Sequence, residues 1–206
     1  MLKIFKYLGH AKGMVLAILL LLVVQAGCDL TLPQYTSEIV DVGIQQGGIE
    51  HAAPKRIQKA TYEDIQLFMD ENEIEQVIPH YIEDTEGTYH LDTEDPDLLA
   101  EIDQAIAMPL SILDELRHSD SVDIQQLKQG LAMGQITKNQ LLEERQKVEA
   151  SFGDMSESII GQKAIEAVKD EYEALNMDPA KIQSDYLRNK GIRMIGLSFL
   201  MLMALP

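Results

Sequence analysis

The amino-acid sequence predicts an all-α chain in which two apolar ends bracket a mostly helical, acidic middle. Three observations carry this. Residues 14–24 contain no polar side chain, and residues 192–206 are apolar except for Arg193 and Ser198. Between the two runs, apolar positions recur at spacings of three and four, punctuated by Asp-Pro, Ser/Thr and Gly signals of helix ends. The mean hydropathy of -0.09 averages over these regions and conceals them. Residues 34–190 hold 33 of the 34 acids against 13 of the 17 Lys/Arg. Such a charge argues against nucleic acid, whose phosphates need Lys/Arg to replace their counterions. It also argues against a surface lying flat on anionic lipid, and reads as solvated polarity. The single cysteine, Cys28, excludes an internal disulfide and a Cys-rich metal centre.

The elements follow in chain order. In residues 1–12, Leu2, Ile4, Phe5 and Leu8 alternate with Lys3, Lys6 and Lys12, a pattern that suits a segment lying in a membrane interface. Residues 13–32 match the roughly 20 residues that cross about 30 Å of hydrocarbon, and Pro33 is expected to end or bend that helix. The same stretch also reads as an export signal. A basic start, an apolar core and Ala26-Gly27 before Cys28 approach a bacterial lipoprotein cleavage box, with Cys28 as the acylation site. Gln25 departs from that box, where an aliphatic residue is usual. The apolar run at 192–206 favours the retained helix, because a lipid-anchored protein has no need of such a run. It reads as the start of a second membrane helix, although so short a run also suits a buried core helix. Lys3, Lys6 and Lys12 place the N-terminus in the cytoplasm and residues 34–190 outside. Arg188, Lys190 and Arg193, at the outer mouth of the second span, stand against this, but translocation of a long loop depends little on its charge.

Within the middle, Thr61 with Asp64 three residues on reads as a capping box before Ile65, Leu67 and Phe68. Residues 83–91, "EDTEGTYHL", suggest a small hairpin. Asp95-Pro96 starts a helix carrying Leu98, Leu99, Ile102 and Ile106, and Pro109 is expected to kink or divide it. Asp123 caps a helix with Ile124, Leu127 and Leu131 that stops near Gly134. Thr137 to Gln140 opens another, carrying Leu141, Leu142 and Val148. Ser156 or Ser158 opens one whose face is Ile160, Ala164, Ala167, Val168 and Leu175. Asp178-Pro179 starts a last helix, running through Tyr186 and Leu187 into the terminal apolar run.

Motifs for chemistry are scarce. Of five histidines, His80 and His90 lie among acids, Glu83, Asp84, Glu86 and Asp92, without HxxxH or HExxH spacing, and read as surface. The acids of 70–75 and 92–97 lack the glycine and terminal glutamate of a calcium loop. No GxxxxGK[ST] or GxSxG occurs, and no nucleophile, base and orienting group fall together. No catalytic, cofactor-binding or metal residue is therefore assigned. The one residue with a candidate chemical role is Cys28, as a lipidation site.

Residues 1–50, with "LKIFKYLGHAKG", the apolar run 13–32 and "LPQYTSEIVDVGI" at 32–44, resemble the start of the membrane domain of bacterial ABC exporters. The resemblance implies an interfacial elbow helix at 1–12 and a first transmembrane helix at 13–33. It further implies an extracellular, mostly helical acidic insertion at 34–190, and the start of a second transmembrane helix at 191–206. It implies a plasma-membrane subunit of an ATP-driven exporter of drugs, lipids or peptides, paired with a second subunit. ATP and Mg²⁺ would then bind in a nucleotide-binding domain whose motifs these 206 residues lack, so the chain reads as an N-terminal part and not itself an enzyme. Two other readings remain open at this point: a lipoprotein binding module anchored through Cys28, and a two-span membrane sensor or accessory protein.

Overall fold

The computed structural model describes residues 12–84, 87–119, 123–152 and 156–204. The fold is mostly helical, as expected, and divides into two compact units. One unit takes both ends of the chain, up to Gly48 and from Ala180 onward; the other is Ile49–Pro179. The expected segment at 1–12 lies, apart from Lys12, outside the described residues.

In the first unit, helix α1 (Lys12–Glu38) continues into a π-helical stretch, Ile39–Gln45. Of the two outcomes expected at Pro33, an end or a bend, the helix end does not occur: Pro33 lies inside α1. The proline removes one backbone bond to the carbonyl four residues earlier, and the apolar turns before it with the amphipathic turns after it carry the helix on. Two glycines then turn the chain, Gly47 at φ +64° and Gly48 at φ +81°. The returning helix, which we label α8 (Pro179–Ala204), is unbroken through Tyr186 and Leu187. Its N-terminal half lies against the end of α1. Gln183 Nε2 donates to the Gly43 carbonyl at 2.8 Å. Lys190 Nζ donates to Glu38 Oε2 at 2.7 Å and stands 5.2 Å from the Tyr186 ring centroid. Gly48 permits this approach, because a Cβ there would stand 2.8 Å from Gln183 Cα. Beyond these contacts both helices present bare apolar side chains, including Leu16, Leu20 and Val23 on α1 and Ile195, Phe199 and Leu202 on α8. Among the described residues, one helix, spanning Gly13–Gln45, is long and apolar enough to cross a membrane.

The second unit is built on six helices and a small sheet: α2 (Lys59–Ile65), α3 (Glu71–Val77), α4 (Pro96–His118), α5 (Ile124–Ala132), α6 (Lys138–Phe152) and α7 (Ser156–Ala174). Strands β2 (Tyr81–Glu83) and β3 (Thr88–Leu91) form the expected hairpin. A third strand, β1 (Arg56–Gln58), pairs antiparallel with β3 and was not legible in the sequence; the order is β1-β3-β2. Three residues with one apolar side chain give no alternation to read.

Helix α4 is the axis of this unit and packs chiefly on α7 and α3. Asp95 caps it, its carboxylate accepting from Asp97 N at 3.0 Å, with Pro96 at the first helical position. Ile102, Ile106 and Leu113 are fully buried and meet a core that includes Ile57, Ile65, Met69, Val77 and Val168. Pro109 lies inside α4 and does not divide it. Its neighbours Met108 and Leu110 are themselves buried, so packing on both sides outweighs one missing backbone bond. The expected box at Thr61 and Asp64 is also corrected. Gln58 precedes α2, and Thr61 lies inside it with its hydroxyl turned to α7. The capping box belongs to Asp70 and Glu73, which cap α3 reciprocally at 2.8 Å each way. Thr137 and Gln140 pair in the same manner ahead of α6, with Thr137 N donating to Gln140 Oε1 at 2.8 Å. Val148, expected on the apolar face of α6, is exposed.

The chain entering this unit is held by side chains from later elements. Asp103 on α4 accepts from Ala53 N at 2.8 Å and meets His51 Nδ1 at 2.7 Å. That bond, countered in part by burial, holds the His51 imidazole above its ordinary value. Tyr81 donates its hydroxyl to the Pro54 carbonyl at 2.9 Å, and the Tyr172 hydroxyl accepts from Lys55 N at 2.8 Å. Burial raises both phenols.

Candidate functional site

The concentration of polar groups in the second unit lies where the C-terminal turns of α4 meet α7. Ser111 Oγ fixes the two helices, standing 2.7 Å from the Ala107 carbonyl of its own helix and 3.1 Å from that of Ile160. Toward the C-terminal end of α4 the two helices line a cleft of about 250 Å³. Its polar lining is Gln58, Asp114, Arg117, His118, Asp170 and Glu171, and its apolar lining is Leu110, Leu113, Ala167 and Ala174.

The floor of the site is a closed charge network. Glu171 is 3% exposed, and a carboxylate so placed needs partners. Its Oε1 accepts from Gln58 N at 2.5 Å and its Oε2 from Thr61 Oγ1 at 2.7 Å. Arg117 Nη2 donates to that same Thr61 hydroxyl at 2.8 Å, and Nη1 lies 3.6 Å from Glu171 Oε2. The second buried carboxylate, Asp64, lies 3.9 Å from Arg117 Nη2 and forms an ion pair with Lys128 Nζ. Asp64 Oδ1 receives no hydrogen bond of regular geometry, so that contact is an ion pair without a directed bond. Two acids and two bases from α2, α4, α5 and α7 therefore compensate one another. Such networks hold a fold in register at a desolvation cost.

The rim differs. Asp114 and His118 are one helical turn apart on α4, so both project to one side, and Asp170 reaches them from α7. A ligand atom from each of the three can lie within 4.8 Å of the others. His118 Nδ1 lies 3.0 Å from the Asp114 carbonyl and 3.5 Å from its Oδ1, and Nε2 lies 3.5 Å from Asp170 Oδ2. The bond to the Asp114 carbonyl, and then the Asp114 carboxylate, raise the imidazole above its ordinary value. Burial is the largest cause lifting the Asp114 carboxyl, and neighbouring Asp170 adds to it.

The residues singled out in the sequence lie elsewhere. Cys28 is buried within α1. His80 ends the turn after α3 and His90 lies in β3; neither belongs to the group able to share an ion among the described residues. Glu86 and His10 lie outside the described residues. Of the acids at 70–75, Asp70 and Glu73 are structural, and Glu73 makes a paired contact with Arg145. The rim cluster went unread because "DELRH" at 114–118 has one histidine in a run of charges, and its third member is 52 residues further on.

No GxxxxGK[ST] sequence occurs among the 206 residues. Comparison with protein-family models, with curated proteins and with solved structures finds no match.

Proposed function

We propose that the chain forms part of the membrane subunit of an ABC-type exporter in a bacterial plasma membrane, supplying the first helix and an extracellular domain inserted between helices one and two. The observation that carries this is the pairing in the first unit. Two helices joined at their polar ends by Gln183–Gly43 and Lys190–Glu38 continue as bare apolar surface. A helix apolar on all sides belongs in a protein core or in lipid. The chain between those polar ends is an independent compact unit, as an insertion between two membrane helices would be. Lys190 is paired with Glu38 and Arg188 with Asp185 at 2.7 Å, so much of the positive charge that opposed this orientation is neutralised locally. Residues 1–50 add the resemblance to exporter membrane domains.

In this reading α1 stands in the transport bundle, the Ile49–Pro179 unit stands outside the cell, and nucleotide chemistry takes place in domains that these residues do not include. Purification from bacterial membranes through an affinity tag inserted between Gly134 and Gln135 tests it. Vanadate-sensitive ATP hydrolysis should accompany the tagged protein, on the same polypeptide or on a second subunit. Membrane-bound protein with no associated ATPase would leave the two-span sensor reading in its place. Mature protein beginning at an acylated Cys28 would leave the lipoprotein.

A further inference from the structure

We propose that Asp114, His118 and Asp170 form a binding site for a divalent transition-metal ion of the zinc class, at the mouth of the cleft between α4 and α7. The inference is independent of the exporter reading, since it rests on geometry inside the second unit alone.

The arrangement of the histidine is the first argument. A metal-ligating imidazole binds through one nitrogen and donates its other N–H to a carbonyl or carboxylate, which fixes tautomer and ring direction. His118 fits this pattern in the tautomer protonated at Nδ1: Nδ1 lies 3.0 Å from the Asp114 carbonyl, and Nε2 faces Asp170 at 3.5 Å. The separation is the second argument. Metal bonds of about 2.0–2.1 Å at tetrahedral angles set neighbouring donor atoms about 3.3–3.4 Å apart, and His118 Nε2 lies 3.5 Å from Asp170 Oδ2. The third donor is the Asp114 carboxylate, whose Oδ1 lies 3.5 Å from His118 Nδ1 and which offers an oxygen within 4.8 Å of a ring nitrogen of His118 and a carboxylate oxygen of Asp170.

The surroundings leave these acids for a cation. Arg117 bears on Asp114 electrostatically, but its hydrogen bond goes to Thr61 and it faces Glu171 and Asp64. Lys163 on the neighbouring turn is held by Glu115 at 2.6 Å. Glu166 adds negative charge near Asp114. One imidazole and two carboxylates suit Zn²⁺ and its neighbours, whereas Mg²⁺ and Ca²⁺ take oxygen donors alone. Three protein donors would leave a fourth position for a water or a small ligand, and all three line the cleft.

The test is titration of the full chain, in detergent micelles, with ZnCl₂, followed by calorimetry, with MgCl₂ and CaCl₂ as comparisons. One Zn²⁺ should bind per chain, and neither Mg²⁺ nor Ca²⁺ should compete at equal concentration. His118→Ala and Asp170→Asn should each weaken Zn²⁺ binding by more than about tenfold. His118 and Asp170 are exposed, so the variants should keep the parent's melting curve without metal. The double variant His80→Ala/His90→Ala should bind Zn²⁺ as the parent does. Absence of Zn²⁺ binding below millimolar concentration overturns the proposal. Zn²⁺ affinity unchanged in His118→Ala, or lost in the His80/His90 variant, overturns it equally.

Discussion

Single residues in the second unit carry more than their sequence context suggests. Arg145 Nη1 donates to the Phe68 carbonyl at 2.7 Å and to Glu73 Oε2 at 2.5 Å, while Nη2 meets Glu73 Oε1. Both side chains are largely buried, at 13% and 14% exposure. Arg145→Ala leaves the Glu73 carboxylate without its cation and should cost about 3 kcal/mol, read as a lower denaturation midpoint. Arg145→Lys should recover little, because an ammonium cannot supply the paired donors. The pairing was not legible, because "DENEIE" looks like any acidic stretch and its cation lies 72 residues away. Asp103 yields a second prediction. His51 is raised in the folded protein, so its bond contributes fully below the unfolded value of about 6.5 and is lost as pH rises through the folded value. Hydrogen exchange at the Ala53 amide should therefore be slower at pH 5.5 than at pH 8.5 after correction for intrinsic rates. Asp103→Ala should abolish that difference and speed exchange at both.

At the scale of elements, what could be read locally was read well. Asp95-Pro96, Asp123, Thr137 and Pro179 mark helix starts that depend on side-chain capping and a fixed φ, and these need no knowledge of the rest of the chain. Pro33 and Pro109 do not end or divide their helices, for the opposite reason. A proline costs one backbone bond, and whether the helix survives depends on what packs around it. Strand β1 has meaning only beside β3. The rim of the cleft was hidden similarly, since α7 brings Asp170 to α4 only in the folded protein. The turn after α1 supplies a paired prediction. Gly47→Ala meets nothing within 4 Å and adds only the strain of a left-handed alanine, about 1 kcal/mol. Gly48→Ala adds that strain and a collision with the Gln183 backbone. Hydrogen-exchange protection in residues 39–48 and 180–190 should fall clearly in Gly48→Ala and hardly in Gly47→Ala.

For the whole molecule, the division of labour follows from where apolar surface is buried and where it is not. Ile49–Pro179 encloses a core around Ile102, Ile106, Leu110 and Leu113, and Ile106→Ala should cost about 2–5 kcal/mol of its stability. The α1–α8 unit leaves many of its large apolar residues exposed. In the proposed function those helices stand in a membrane and the second unit lies outside the cell. The most direct measurement uses a single reporter thiol. Cys28 is the only cysteine, so Cys28→Ser gives a thiol-free background, and Gln135→Cys places one thiol on the exposed turn between α5 and α6. A membrane-impermeant maleimide applied to intact bacterial cells should label that thiol fully. Labelling that requires permeabilised cells would place the second unit inside and contradict the account.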